Sequence, residues 1–174
     1  MTLETTSTQT INPDLKQNLI QGTSLNAQEH ICTTDENNIP TKTGHTRREM
    51  RLNNLWHRAT YIIVLHQQNE DENHIIIQRR SKIKDYCPGK LDPTPGGVVE
   101  FNESYEDNVR RELLEEMGIS IEEGNKENNT YQRLFTFKYV DNIVKCWGDL
   151  WEVTYHGTMS DLKLQESEVD EVIR

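Results

Sequence analysis

Residues 97–119 read GVVEFNESYEDNVRRELLEEMGI, and the reading of this stretch decides the fold. Gly97 is followed by Glu103, Arg111, Glu112, Leu113, Glu115, Glu116, Gly118 and Ile119 on the pattern G-x5-E-x7-R-E-U-x-E-E-x-G-U, with U aliphatic, and every specified position is filled. At about 100° per residue, Glu112, Glu115 and Glu116 share an arc of roughly 100° on one helix. Val109, Leu113 and Met117 fall on the other side. Ser104 followed by Asp107 is a capping-box start, and Gly118 is the expected left-handed stop. The spacing predicts a helix over 105–117 with one core face and one face of three carboxylates.

Carboxylates stacked three and four residues apart repel by a few tenths of a kcal/mol per pair, and helix propensity does not require them there. A bound cation removes that repulsion. Hard oxygen donors favour Mg²⁺, with Mn²⁺ the alternative, and Mg²⁺ commonly shares its shell with substrate phosphate oxygens. A lone E-x-x-E-E would read instead as a solvated acidic face. The complete pattern changes the weighting, because a chance match at average composition is on the order of one in a few million.

The 97–119 segment resembles the box of the Nudix hydrolase superfamily, with weaker similarity from about residue 30 to 174. The resemblance implies an α+β fold, an α/β/α sandwich with a mixed sheet and the box helix on one face. It also implies divalent metal held beside the diphosphate of a nucleoside diphosphate linked to another group. Carried over, Glu112, Glu115 and Glu116 become metal ligands or the general base, a backbone carbonyl near Gly96 joins the metal, and Arg111 and Glu103 orient the set.

Composition bounds the rest. With 174 residues and 33% hydrophobic content, the chain has room for one domain plus an unpacked part. Residues 1–28 are rich in Thr, Asn, Gln and Ser, so a disordered polar tail is expected there, followed by the domain at 29–174. A net charge of −10 argues against nucleic-acid binding through a basic face. Three widely spaced cysteines indicate neither a disulfide framework nor a zinc site. With no 18-residue apolar run and no signal-peptide core, a cytoplasmic protein without membrane attachment is expected.

Along the chain, residues 30–51 predict a short strand, a turn at 35–40, and a second strand or helix start, flanking the core. ATYIIVLH at 59–66 and HIIIQR at 74–79 predict a hairpin of buried strands. Residues 78–97 read as a long loop with Arg79, Arg80, Lys82, Lys84 and Lys90, of which Arg79 and Arg80 are the candidate substrate-binding forks. Ordinary surface charge is the rival reading for each. Residues 119–121 suggest a strand start and 122–129 a polar loop. Residues 132–140 and 143–155 then alternate as two antiparallel strands, whose Phe135, Phe137, Trp147 and Trp151 are expected in the core. Near the end, Glu168 is the candidate for an additional base or metal ligand, against a solvated-charge reading.

LWHRATYIIV, QRRSKIKDYCPGKLD and VKCWG further resemble the subgroup related to isopentenyl diphosphate isomerase, closest to its hydrolase-like members. Pro95 and Gly97 stand where the isomerase carries its cysteine and a histidine. His57 retains one metal histidine, Met50 replaces another, and the later glutamate pair falls on Lys145 and Trp147. Without a thiol and an opposed carboxylate, proton delivery and removal at a double bond has no pair of groups to perform it, whereas a complete carboxylate box suits water activation at a diphosphate. The expectation is a Mg²⁺-dependent hydrolase acting on an organic diphosphate or nucleotide, with an isomerase-like enzyme or a nucleotide-sensing module as alternatives. The resemblance also suggests a chain truncated before a final helix. One sheet face would then be thinly covered, a condition that invites homodimerisation.

Overall fold

In the computed structural model, residues 26–69, 72–84, 87–121 and 129–174 are described. Most of the expected tail and of the 122–129 loop lies outside them. In chain order the elements are β1 (His30–Ile31), β2 (His45–Thr46), α1 (Arg47–Leu52), β3 (Trp56–Asn69), β4 (Glu72–Ile75), β5 (Ile77–Arg80), β6 (Leu91–Asp92), α2 (Tyr105–Met117), β7 (Asn129–Val140), β8 (Lys145–Tyr155), a 3₁₀ turn (Met159–Asp161) and β9 (Val169–Ile173).

The apolar, β-branched run of β3 makes the centre of a mixed four-stranded sheet in the order β4-β3-β8-β7. β3 and β8 pair in parallel from Trp56↔Lys145 to His66↔Tyr155, and the flanking pairs are antiparallel. A second sheet has the order β6-β5-β9, and β1 pairs with β2, with Ile31 bridging to Glu100 and Thr33 to His57. The α+β class inferred from the box is therefore the observed one.

Helix α2 has the expected bounds for the expected reasons. Ser104 Oγ accepts from the Asp107 N–H at 3.1 Å, and Gly118 closes the helix with φ 71°. Val109, Leu113 and Met117 are fully buried against Ile62, Val64, Ile76, Trp151 and Val153. Each such side chain contributes about 1.5–3 kcal/mol of burial. A smaller cluster of Ile31, Met50 and Val98 anchors α1 and the N-terminal strands.

Several expectations are corrected. The predicted strand at 74–79 is two strands, because Ile76 is fully buried at a break where the chain passes from one sheet to the other. The predicted loop at 78–97 contributes the end of β5 and all of β6. Ile119 and Ile121 are core residues in irregular backbone rather than a strand start. Phe135 is 54% exposed, because β7 is a sheet edge and a register shift between Arg133 and Phe135 re-aims its side chains. The sheet surface bearing Tyr61, Phe135, Phe137 and Tyr139 keeps exposed apolar area, with Tyr61 and Phe137 in ring contact at 5.3 Å. No helix among the described residues is long and apolar enough to cross a membrane.

Candidate active site

The segment before α2 is pinned along the first half of β3. The Thr60 N–H donates to the Gly97 carbonyl and the Ile62 N–H to the Pro95 carbonyl, both at 2.9 Å, while the Val99 N–H donates to Arg58 O at 3.0 Å. This extra rung lays Gly96 and Gly97 over the carboxylate side of α2. The three glutamates are consequently not equivalent. Glu112 and Glu116 are 8% and 2% exposed, whereas Glu115 is exposed at the rim. The expected face of three carboxylates is thus opposite the core face of α2, yet two of its three members are buried. A helical wheel shows which residues share a face but not what a neighbouring loop lays upon it.

Glu112 packs directly on Gly97, where a β-carbon would overlap its carboxylate. Glu116 accepts from the Gly96 N–H at 3.3 Å and from the side chain of Gln78. Burial and the neighbouring Glu116 charge push the Glu112 carboxyl up to about 7, and burial also raises Glu116 against the opposing charge of Lys84. Two buried carboxylates that resist ionisation together are a donor set suited to a hard divalent cation. They are not a ready-made cage: among the described residues, no three Asp, Glu, His or Cys side chains are already gathered as metal ligands.

Arg111 organises the helix face. Its Nε and Nη2 donate to the two oxygens of Glu103 at 2.9 and 3.2 Å, and its Nη1 lies 3.0 Å from both Glu112 Oε1 and Glu115 Oε2. Glu103 Oε2 also accepts from the Glu100 N–H and from Asn108 Nδ2, each at 2.8 Å. Glu103 is thus held by four donors and in turn holds Arg111.

The box carboxylates border a cavity of about 360 Å³. Arg80, Lys84, Lys90 and Glu168 belong to its wall. Arg79 does not: neighbouring strand residues point to opposite faces, and Arg79 turns to Glu171 at 2.5 Å while Arg80 faces the cavity and pairs with Asp92 at 3.3 Å. Glu168 is buried and ion-paired with Lys84, whose own pKa burial lowers to about 8. His57, 2% exposed, donates Nδ1–H to Leu55 O at 3.0 Å, and burial holds its pKa down to about 3. It borders the cavity as a neutral, internally bonded ring.

Sequence reasoning did not single out Glu29, Arg47, Arg51, Cys87 or Tyr139, all of which border the cavity. A signal existed for the two arginines. Arg47 and Arg51 stand four apart behind the capping box of Thr46 and Glu49, which puts both on one face of α1.

Comparison with known proteins agrees with the geometry. The NUDIX domain family matches residues 55–173. An uncharacterised Nudix hydrolase of Yersinia pestis is 37% identical over 138 residues, which is 79% of this chain and 67% of that protein. A prenyl-diphosphate phosphatase of Methanosarcina mazei is 42% identical over 65 residues, 37% of this chain and 35% of that one. The crystal structure of DR0079 from Deinococcus radiodurans superposes with a TM-score of 0.65 at 21% identity, covering 83% of this chain and 82% of the other. The chain spans 61 to 67% of the length of the first curated relatives it matches. With its box filled, its helix capped where the pattern demands and its family matched across most of its length, the chain belongs to the Nudix hydrolase family.

Proposed function

We propose that this chain hydrolyses a phosphoanhydride bond in an organic diphosphate, either a nucleoside diphosphate linked to another group or a similar compound, with Mg²⁺ or alternatively Mn²⁺. The observation that carries the reading is the placement of buried Glu112 and Glu116 on the same 360 Å³ cavity as Arg80, Lys84 and Lys90. A wall with acidic and basic sectors suits a metal-bound diphosphate better than either a free cation or a free anion.

Glu112, Glu116 and Glu115, with the Gly96 carbonyl, would hold the metal. When bound it polarises the diphosphate and lowers the pKa of water. Arg80 and Lys84 receive phosphate oxygens, Arg80 as a planar fork and Lys84 as a point charge. Arg111, itself fixed by Glu103, keeps Glu112 and Glu115 oriented. Glu168, beside Lys84, is placed to take a proton from attacking water or to complete the ligand set. The closed backbone run of residues 95–99 along β3 keeps water from the inner side of Glu112 and Glu116.

The chain reads as a hydrolase-like member of the branch related to isopentenyl diphosphate isomerase. Pro95 and Trp147 replace the thiol and a carboxylate that isomerisation requires. The Methanosarcina relative, named for prenyl diphosphates, and the aromatic surface at Tyr61 and Tyr139 beside the cavity favour including prenyl diphosphates among the substrates. Three free cysteines among the described residues fit a cytoplasmic setting.

The test is a screen of purified protein with Mg²⁺ against nucleoside triphosphates, dinucleoside polyphosphates, nucleotide sugars, coenzyme A, nicotinamide dinucleotides and prenyl diphosphates. Release of phosphate-containing products by the wild type and not by Glu116→Gln is expected. Equal release by both, or none from any compound, removes the proposal.

A further inference from the structure

Arg47 is anchored at the start of α1, far in sequence from the box. Its N–H donates to Glu29 O at 2.7 Å, and its Nη2 lies 2.9 Å from Glu29 Oε2. Its side chain is 16% exposed and belongs to the wall of the cavity that Glu112 and Glu116 border. Yet its Nε–H is buried with no hydrogen-bond partner among the described residues. A buried guanidinium donor without an acceptor is costly, and native proteins rarely leave one so unless something outside the chain completes it. Burial also raises the pKa of its partner Glu29, with Arg47 acting against that shift, so the Glu29 carboxylate is a strained counter-ion rather than a saturating one.

The surroundings point to an anion as the missing group. Arg51, one turn further along the same face of α1, borders the same cavity. Arg47 lies close enough to act electrostatically on Glu112, His57 and Lys84, which sets it among the catalytic candidates rather than at the outer rim. Glu112 feels Arg111 and then Arg47, Glu116 feels Lys84 and Arg80, and Lys84 acts on both carboxylates, so Arg47 belongs to a shared set of cations around the buried pair. His57 adds no competing charge, being neutral and bonded to Leu55 O.

We propose that Arg47, with Arg51 beside it, forms a second phosphoryl subsite in the wall of the cavity that Glu112 and Glu116 border, in addition to Arg80 and Lys84, so that the two phosphoryl groups of a diphosphate are held by different cations. Arg47 supplies a planar fork that a lysine does not reproduce. This deepens the proposed hydrolase reading and names the part of the chain that grips the second phosphoryl group.

The experiment measures binding of methylenediphosphonate, a non-hydrolysable diphosphate, by calorimetry with Mg²⁺ for the wild type, Arg47→Gln and Arg47→Lys. Mg²⁺ binding alone and metal-free melting are recorded beside it. Loss of a charge-assisted contact predicts diphosphonate affinity about 10- to 100-fold weaker in Arg47→Gln. It predicts a smaller, several-fold loss in Arg47→Lys, with Mg²⁺ affinity unchanged in both. Wild-type diphosphonate affinity in a folded Arg47→Gln overturns the subsite, as does an equal loss of Mg²⁺ affinity or a wild type that does not bind the probe. Should Arg47→Gln fail to fold, Arg47→Lys and Arg51→Gln decide, and unchanged affinity in both overturns it. If the wild type binds through Arg47 but turns over no diphosphate, the hydrolase reading fails and the subsite stands. Hydrolysis at wild-type KM by Arg47→Gln has the opposite meaning.

Discussion

The Glu112 carboxylate rests on Gly97, so the first residue of the box pattern and its first metal-ligand candidate are in direct contact across the loop-helix junction. A methyl group at position 97 would occupy the carboxylate's place. Gly97→Ala is expected to lower stability by about 1–3 kcal/mol through overpacking and to reduce Mg²⁺-dependent turnover at least tenfold by displacing Glu112. Urea denaturation and a turnover assay check both effects. An alanine variant indistinguishable from the wild type would show that the close approach has no consequence.

Glu116→Gln should separate catalysis from folding. The amide keeps the size of the carboxylate and an acceptor for the Gly96 N–H, while it removes a buried charge that burial already disfavours. Metal-free stability is expected to stay within about 1 kcal/mol of the wild type, with turnover reduced by orders of magnitude. A large loss of stability in EDTA would assign Glu116 a structural role instead.

Adjacent arginines should behave differently. Arg80→Ala is expected to raise KM for the diphosphate about tenfold, since Arg80 borders the cavity. Arg79→Ala should leave KM unchanged, since Arg79 pairs with the half-exposed Glu171 outside it. Steady-state kinetics on both variants decides, and a larger effect at Arg79 would reverse the assignment.

His57 gives the chain an acid-sensitive point. Its folded pKa of about 3 lies below the ordinary 6.5, so between those values the unfolded chain binds a proton that the folded chain does not. The stability contributed by neutral His57 is therefore complete above about pH 6.5 and declines as pH falls, at about 1.4 kcal/mol per unit. Glu112, raised from 4.5 to about 7, acts in the opposite sense, stabilising the metal-free fold as pH falls through that window. The difference between His57→Asn and the wild type isolates the histidine. In EDTA it should shift toward the variant by about 1.4 kcal/mol per unit between pH 6.5 and 4.5, measured by urea midpoints. A constant difference would mean that His57 is protonated in the folded chain.

Much of this was legible in the residues. Ser104 and Gly118 mark the ends of α2, and the runs in β3, β7 and β8 announce themselves by apolar pattern, because each signal is local. What stayed hidden depends on contacts between distant segments. The burial of Glu112 and Glu116 comes from residues 95–98 bonding along β3, and the different fates of Arg79 and Arg80 come from how β5 meets β9 and β6. Phe135 looked like core because aromatics in alternating strands usually are; edge position and a register shift exposed it. The cavity role of Arg47 required knowing where α1 lies.

The parallel pairing of β3 with β8 also bears on how the chain is made. The two central strands are neighbours in the sheet but are separated by all of residues 70–144. During synthesis α2 emerges with both of its end signals in place, yet part of the surface meant for Val109, Leu113 and Met117 belongs to Trp151 and Val153, which are not yet translated. Loop closure of that length must precede the packing that rewards it. A nascent chain stalled before β8 is therefore expected to present the apolar face of α2 without Trp151 and Val153 to receive it.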